Sequence, residues 1–203
     1  MSTADTQNEM TAPELTLDLA FRNARTFNRF SDKAVTDETL RAIHDLMKWG
    51  PTSLNSQAAR FVFLKSRESR ERLRPALSAG NLEKTMAAPM TVIVAIDSLF
   101  YEHLGTQFPA YDARPMFEAN PAIAEKTGFR DGTLQGAYFM IAARLLGLDC
   151  GPMAGFEADK VNAEFFADGR WRANFLINLG YGDPAGNRPR GPRLTFDQVA
   201  YIL

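Results

Sequence analysis

Apolar residues recur at helical spacing at Leu40, Ile43, Leu46 and Met47, which predicts an amphipathic helix with one buried face. Thr36 stands ahead of it as a side-chain cap, Asp37 and Glu38 suit the positive end of its dipole, and Gly50-Pro51 stops it. A second stripe, Leu134, Tyr138, Ile141 and Leu145, predicts the strongest helix of the chain, over residues 132–146, capped by Asp131 at its start and closed by Gly147. Ala137, Ala142 and Ala143 within it allow a neighbour to approach closely. Leu15, Leu17, Leu19 and Phe21 among helix formers predict a helix over 15–25, and Val161 with Phe165 a shorter one over 158–166. Residues 66–77 are charged and helical in character, with Pro75 disturbing the end.

The run MTVIVAI, residues 90–96, is nearly continuous, apolar and β-branched, as a central strand requires. Shorter strands are expected over 61–64 and 174–179. Residues 99–120 mix polarity, prolines and aromatics and predict a helical excursion or lid, and 147–156 reads as a loop between helices. Residues 1–14 are expected to be a disordered extension and 15–203 one domain. Helices and strands mix without a regular βαβ repeat, which points to an α+β fold. The apolar end, residues 196–203, needs a dry surface on its own chain or on a second copy, and a homodimer is the economical expectation.

Composition narrows the function. The chain has 203 residues, 45% hydrophobic and 23% charged, with a formal net charge of -1. That supports a sizeable core and gives no electrostatic reason to expect nucleic acid. Cys150 is the single cysteine, so no internal disulfide framework exists and a reducing compartment fits. The N-terminal residues lack the basic and apolar regions of a signal peptide, and no apolar run approaches a membrane span. A cytoplasmic location is expected. The two histidines, His44 and His103, have no metal-ligand spacing, so no metal site is expected.

Familiar catalytic signatures are missing: there is no GxGxxG, no GxxxxGK[ST], no GxSxG and no well-placed carboxylate pair. Side chains this unpromising suit an enzyme whose chemistry comes from a cofactor. Four segments carry candidate chemistry. In ARTFNRF, Arg25 and Arg29 flank Thr26 and Asn28, a set able to hold a phosphate and polar ring edges, or simply a solvated helix end. In GPTSLNSQ, Thr52, Ser53, Asn55, Ser56 and Gln57 offer more hydroxyl and amide groups than one turn needs. In GPMAGF, Pro152, Met153, Ala154 and Gly155 form a small surface where backbone N–H groups can face a ring. In NRPRGPRL, Arg188, Arg190 and Arg193 have no acid nearby, and an anion such as phosphate is their natural partner; RNA is the alternative, with few charges and no interleaved aromatics to support it.

Taken in order, ARTFNRF, PTSLNSQ, GPMAGF and NRPRGPRL resemble the nitroreductase family of flavin enzymes over residues 18–203, and are most similar to its Rut-type subgroup, which includes a malonic semialdehyde reductase. The resemblance implies a mostly antiparallel sheet surrounded by helices and a homodimer whose C-terminal segments pack on the partner. It also implies noncovalent FMN at the dimer interface and NAD(P)H as electron donor. It assigns the phosphate to Arg25 with Arg190 or Arg193, and other flavin contacts to Thr26 and Asn28. Thr52, Ser53, Asn55 and Gln57 match the turn near the partner's flavin, and Pro152, Met153 and Gly155 match the loop beside the ring. Ala24, Asn28 and Ala154 stand where the family often has an arginine, a basic residue and an acid. The implied reaction is hydride transfer through FMN to a small carbonyl acid such as malonic semialdehyde, with Arg114 in the excursion binding its carboxylate or else pairing with Asp112. The alternatives are a broad nitroaromatic or quinone reductase and a non-enzymatic flavin-binding or regulatory dimer.

Overall fold

The computed structural model describes residues 12–203; the expected disordered extension falls almost wholly outside the described residues. The helix expected over 15–25 is shorter and starts earlier: α1, Ala12–Leu17, continues into a π-helical turn, Asp18–Arg22. Next come α2, Asp37–Met47, and β1, Ala59–Leu64. Pro75 splits the stretch 66–77 into α3, Arg67–Glu71, and a 3₁₀ turn, Arg74–Ala76. A helix not anticipated from the pattern, α4, Ala79–Ala87, precedes β2, Met90–Asp97. The excursion holds α5, Leu104–Gln107, and α6, Arg114–Glu118, and leads into α7, Pro121–Leu145. β3, Asp149–Met153, α8, Ala158–Phe165, β4, Trp171–Gly180, and α9, Phe196–Val199, complete the chain.

The four strands form one antiparallel sheet in the order β1-β2-β4-β3. The apolar run of β2 lies inside the sheet, as its composition demanded, with Val92 opposite Phe63 on one side and Ile177 on the other. Both faces are covered. Ile43 and Met47 of α2 and Phe139, Ala142 and Ala143 of α7 pack on Val92, Val94, Ile177 and Leu179. Leu73, Val161 and Phe166 pack on Ile93, Ala95 and Leu176 of the opposite face. Each large side chain so buried contributes about 1.5–3 kcal/mol. A third cluster, Phe100, Leu104 and Phe117, ties the excursion to Ala58 and Ala124.

Two expectations are corrected. Residues 149–153 are an edge strand and not a loop; Pro152, which cannot complete a central ladder, is tolerated at a sheet edge. The long helix begins at Pro121, so Asp131 lies in its middle and caps nothing. Its small residues decide which side faces the sheet. A Cβ on Gly132 would come within 3.0 Å of Ile96, and one on Gly136 within 2.4 Å of Phe175. The stripe Leu134, Tyr138 and Leu145 therefore points outward and is exposed, together with Phe129, and with Leu46 and Trp49 near the end of α2. The Thr36 cap is as expected, accepting from the Thr39 N–H at 3.2 Å, and Gly147 closes α7 with φ of +79°. No helix is long and apolar enough to cross a membrane among the described residues.

Candidate active site

The chain leaving the π turn lies along the outside of β3. Thr26 pairs in parallel with Cys150, and the Phe27 N–H donates to the Cys150 carbonyl at 3.1 Å. Gly151 is required here, because a Cβ would sit 2.4 Å from the Phe27 carbonyl oxygen. The C-terminal loop then straps this segment down. Arg190 donates through Nη2 to the carbonyls of Arg22, at 2.6 Å, and Ala24, at 2.8 Å, and Arg25 donates to the Arg188 carbonyl. Lys84, half-buried on α4, reaches Asn28 Oδ1 at 3.5 Å. Burial, with Arg188 adding like charge, holds the Lys84 pKa below its ordinary 10.5. Among the described residues no carboxylate pairs with Arg25, Lys84, Arg188, Arg190 or Arg193. Buried Asn187 Oδ1 in the same loop accepts from no donor among the described residues. Arg193 differs from the rest of this group: its guanidinium bonds only the carbonyls of Gly191 and Pro192.

Beyond β3 the chain turns at Ala154 and Gly155. The Gly155 carbonyl accepts from Ser78 Oγ at 2.7 Å and Asn81 Nδ2 at 2.8 Å, both at the start of α4. Pro152 is half-buried, and Met153 points inward with its sulfur accepting from Thr85 Oγ1 at 3.5 Å. Arg25, Asn28, Lys84 and the 152–155 backbone thus gather along the β3 edge. Its cations suit a phosphate, and its loop backbone suits the edge of a flat ring. These residues fit FMN, whose phosphate answers the uncompensated charge.

The polar turn lies elsewhere, immediately ahead of β1. Leu54, Asn55 and Gln57 hold φ of +52°, +52° and +46°, an unusual concentration of left-handed non-glycine backbone. Buried Asp131 accepts from the Ser53 N–H at 3.1 Å, from Ser53 Oγ at 3.1 Å and from Ser56 Oγ at 2.6 Å. Thr52 Oγ1 accepts from the Gln57 N–H. Asn55 Nδ2 donates to the Gln107 carbonyl at 2.9 Å, and Gln57 Nε2 to Gln107 Oε1 at 2.8 Å. β1 and β3 are the two edges of the sheet, three strand spacings or about 14 Å apart. The structure therefore gathers Arg25, Thr26, Asn28, Pro152, Met153, Gly155 and Arg190 at one edge, and Thr52, Ser53, Asn55 and Gln57 at the other.

In the excursion, Arg114 grips Asp112 through two bonds, Nε to Oδ1 at 2.9 Å and Nη2 to Oδ2 at 2.8 Å. These bonds, with the Arg114 N–H, hold the Asp112 carboxyl down at about 2. Beside them Tyr111 meets Phe108 edge to face at 5.4 Å between centroids. Burial pushes the Cys150 thiol up to about 12, so no thiolate is present to act as nucleophile. Among the described residues no three His, Cys, Asp or Glu side chains gather as a metal group would.

Sequence reasoning missed Asn81 and Lys84, because NLEK reads as an ordinary surface turn of helix; the available signal was their i, i+3 spacing on one face. It also missed Gln107 and misread Asp131, whose partners are 75 and 78 residues away.

A Burkholderia lata protein whose name pairs NADH dehydrogenase with NAD(P)H nitroreductase is 57% identical over 95% of this chain and 98% of its own length. A similarly named protein of Ralstonia nicotianae is 52% identical over 92% of this chain and 96% of its own. A nitroreductase from Exiguobacterium sibiricum, solved in complex with FMN, superposes with a TM-score of 0.81 over 93% of this chain and 97% of its own; at 20% identity that likeness speaks for the fold. The model of the Nitroreductase family matches residues 22–181. That match spans the segment behind the cation cluster, the strained turn and all four strands, and the chain belongs to the nitroreductase family.

Proposed function

We propose that the protein is an FMN-dependent oxidoreductase that takes electrons from NAD(P)H and passes them to a small acceptor. The observation that carries this reading is the β3 edge, where cations that no carboxylate among the described residues pairs with stand near the Ala154–Gly155 backbone. Bound FMN supplies two-electron chemistry, accepting hydride from a nicotinamide and donating it to an acceptor. The chain's own residues bind and orient. Arg25, Lys84 and Arg190 with its loop hold the phosphate end, Arg193 joining from the same loop. Thr26 and Asn28 address the polar chain, and Pro152, Met153 and Gly155 shape the wall beside the ring. This division of labour fits a site without an acid/base pair.

The turn at the β1 edge completes the site only if it comes from a second copy, so the proposal includes a homodimer. Exposed Phe129, Leu134 and Tyr138 on α7, with Trp49, offer an apolar interface. Phe196, Val199, Tyr201 and Ile202 at the C-terminus are exposed as well. A groove of about 850 Å³ beside β1, floored by Leu40, Met47, Phe61 and Phe63, is a fitting seat for the partner's terminal segment. A reducing, cytoplasmic setting accompanies the proposal, supported by the lone buried thiol.

For the acceptor, the geometry favours a flat conjugated molecule, a quinone or nitroaromatic. The Phe108–Tyr111 pair offers stacking surface, while Arg114 is already occupied by Asp112. The relatives' nitroreductase names agree. A small carbonyl acid such as malonic semialdehyde, suggested by the Rut-type resemblance, is the second reading, and it requires Arg114 to exchange Asp112 for the substrate carboxylate. The test is to extract flavin from purified protein, then follow its bleaching by NADH and NADPH and its reoxidation by menadione, a nitrofuran and malonic semialdehyde. FMN bleached by a reduced nicotinamide supports the oxidoreductase; a different flavin, or none after reconstitution, defeats it. Flavin that never bleaches would leave the non-enzymatic dimer.

A further inference from the structure

Asp131 is 1% exposed, and among the described residues every side-chain hydrogen bond it accepts comes from the turn ahead of β1. A buried carboxylate is costly unless it is hydrogen-bonded, and three donors of one turn converge on this one, which ties the turn to the helix. What those donors belong to is the strained segment: Leu54, Asn55 and Gln57 all have positive φ, a conformation that persists only where its surroundings dictate it. Asp131 grips the turn from the helix side through Ser53 and Ser56. Gln107 grips the opposite side through Asn55 and Gln57. Gly132, the next residue, lies against Ile96 and Ala59, so the clamp is seated on the sheet.

We infer that Asp131 is a positioning residue: from the middle of α7 it holds the 52–57 turn in the strained shape that presents Thr52 and Asn55 to the flavin of the partner chain. The inference rests on the FMN dimer proposed above. Asp131 touches neither cofactor nor substrate; it acts through Ser53 and Ser56, with Gln107 as the second jaw.

The experiment compares wild type, Asp131→Asn, Ser56→Ala and, as a control on the same helix, Glu125→Gln, whose side chain is exposed. Two quantities are read: amide hydrogen exchange of residues 52–58 in the apoproteins, and FMN affinity by titration with the visible circular dichroism of the bound flavin. Asp131→Asn should raise exchange in the turn and weaken FMN binding, each about tenfold or more, with an altered dichroism band. Ser56→Ala should move both in the same direction by about threefold, and Glu125→Gln neither. Should Asp131→Asn fail to fold, Ser56→Ala and Ser53→Ala decide, since both keep the carboxylate. Exchange unchanged in the turn overturns the clamp. Faster exchange with unaltered FMN affinity overturns the positioning role. Wild type that binds no FMN defeats the flavin reading instead, and the positioning role falls with it.

Discussion

At the β3 edge, no carboxylate among the described residues pairs with Arg25, Lys84, Arg188 or Arg190; at the β1 edge, Thr52, Ser53, Asn55, Ser56 and Gln57 all have partners already. The first region carries positive charge that no described carboxylate offsets, and a ligand is its proposed partner. The second has spent its side chains on holding a strained backbone. Polarity in a sequence therefore signals two different things. Unmatched polarity marks where something binds, and matched polarity around positive φ marks a shape that must be kept. Both can belong to one site when two chains supply them.

The largest effect should come from removing the surplus charge. Arg25→Ala combined with Lys84→Met should raise the FMN dissociation constant at least a hundredfold, each lost charge-assisted bond contributing about 1.5–3 kcal/mol. Thr52→Ala should cost less than tenfold in the same titration. Equal losses would erase the contrast between the two regions.

Mixing chains sharpens the comparison next. A heterodimer of one Lys84→Met chain and one Asp131→Asn chain has one site with both defects and one with neither. About half the wild-type flavin content should return, measured by absorbance after purifying the mixed species with two tags. If cation cluster and turn serve the same site within one chain, nothing returns.

Deleting residues 196–203 should cost several-fold in flavin occupancy and shift light scattering toward the monomer, since the apolar tail is exposed on its own chain. A monomer with full flavin would separate the cation cluster from the dimer altogether.

Smaller changes are expected in acceptor choice. Asp112→Asn frees Arg114, and should lower the KM for malonic semialdehyde several-fold while leaving menadione unchanged. Equal responses would make the pair a brace for the excursion. Raising pH does nothing to this pair, because Asp112 titrates at about 2 and stays ionised above that.

The smallest effect is a pH slope in FMN binding. Burial lowers the Lys84 pKa in the free protein, and a phosphate raises it on binding, so binding takes up a proton between the two values. Affinity should be flat below the free-protein pKa and fall as pH climbs above it. Lys84→Met should remove that slope.

Local chemistry made much of this legible in advance. The run at Met90 announced a buried strand, and Thr36 and Gly147 marked helix ends. Such signals act within a few residues, where spacing, caps and turn chemistry fix the outcome. Asp131 misled because an acid before a helical stripe looks like a cap, whereas its true partners are brought to it by packing. β3 was missed because Gly151 and Pro152 disfavour a strand, and only a position at a sheet edge makes them acceptable.

By itself, then, the sequence determined the family, the α+β layout and the groups able to bind a phosphate and a ring. The tertiary structure alone decided where those groups lie. Strand order is set by contacts between residues far apart in the chain, and it places the cation cluster and the strained turn at opposite edges of one sheet. The same packing turns the glycine side of α7 inward, because only residues without side chains fit against Ile96 and Phe175, and leaves its apolar stripe facing out.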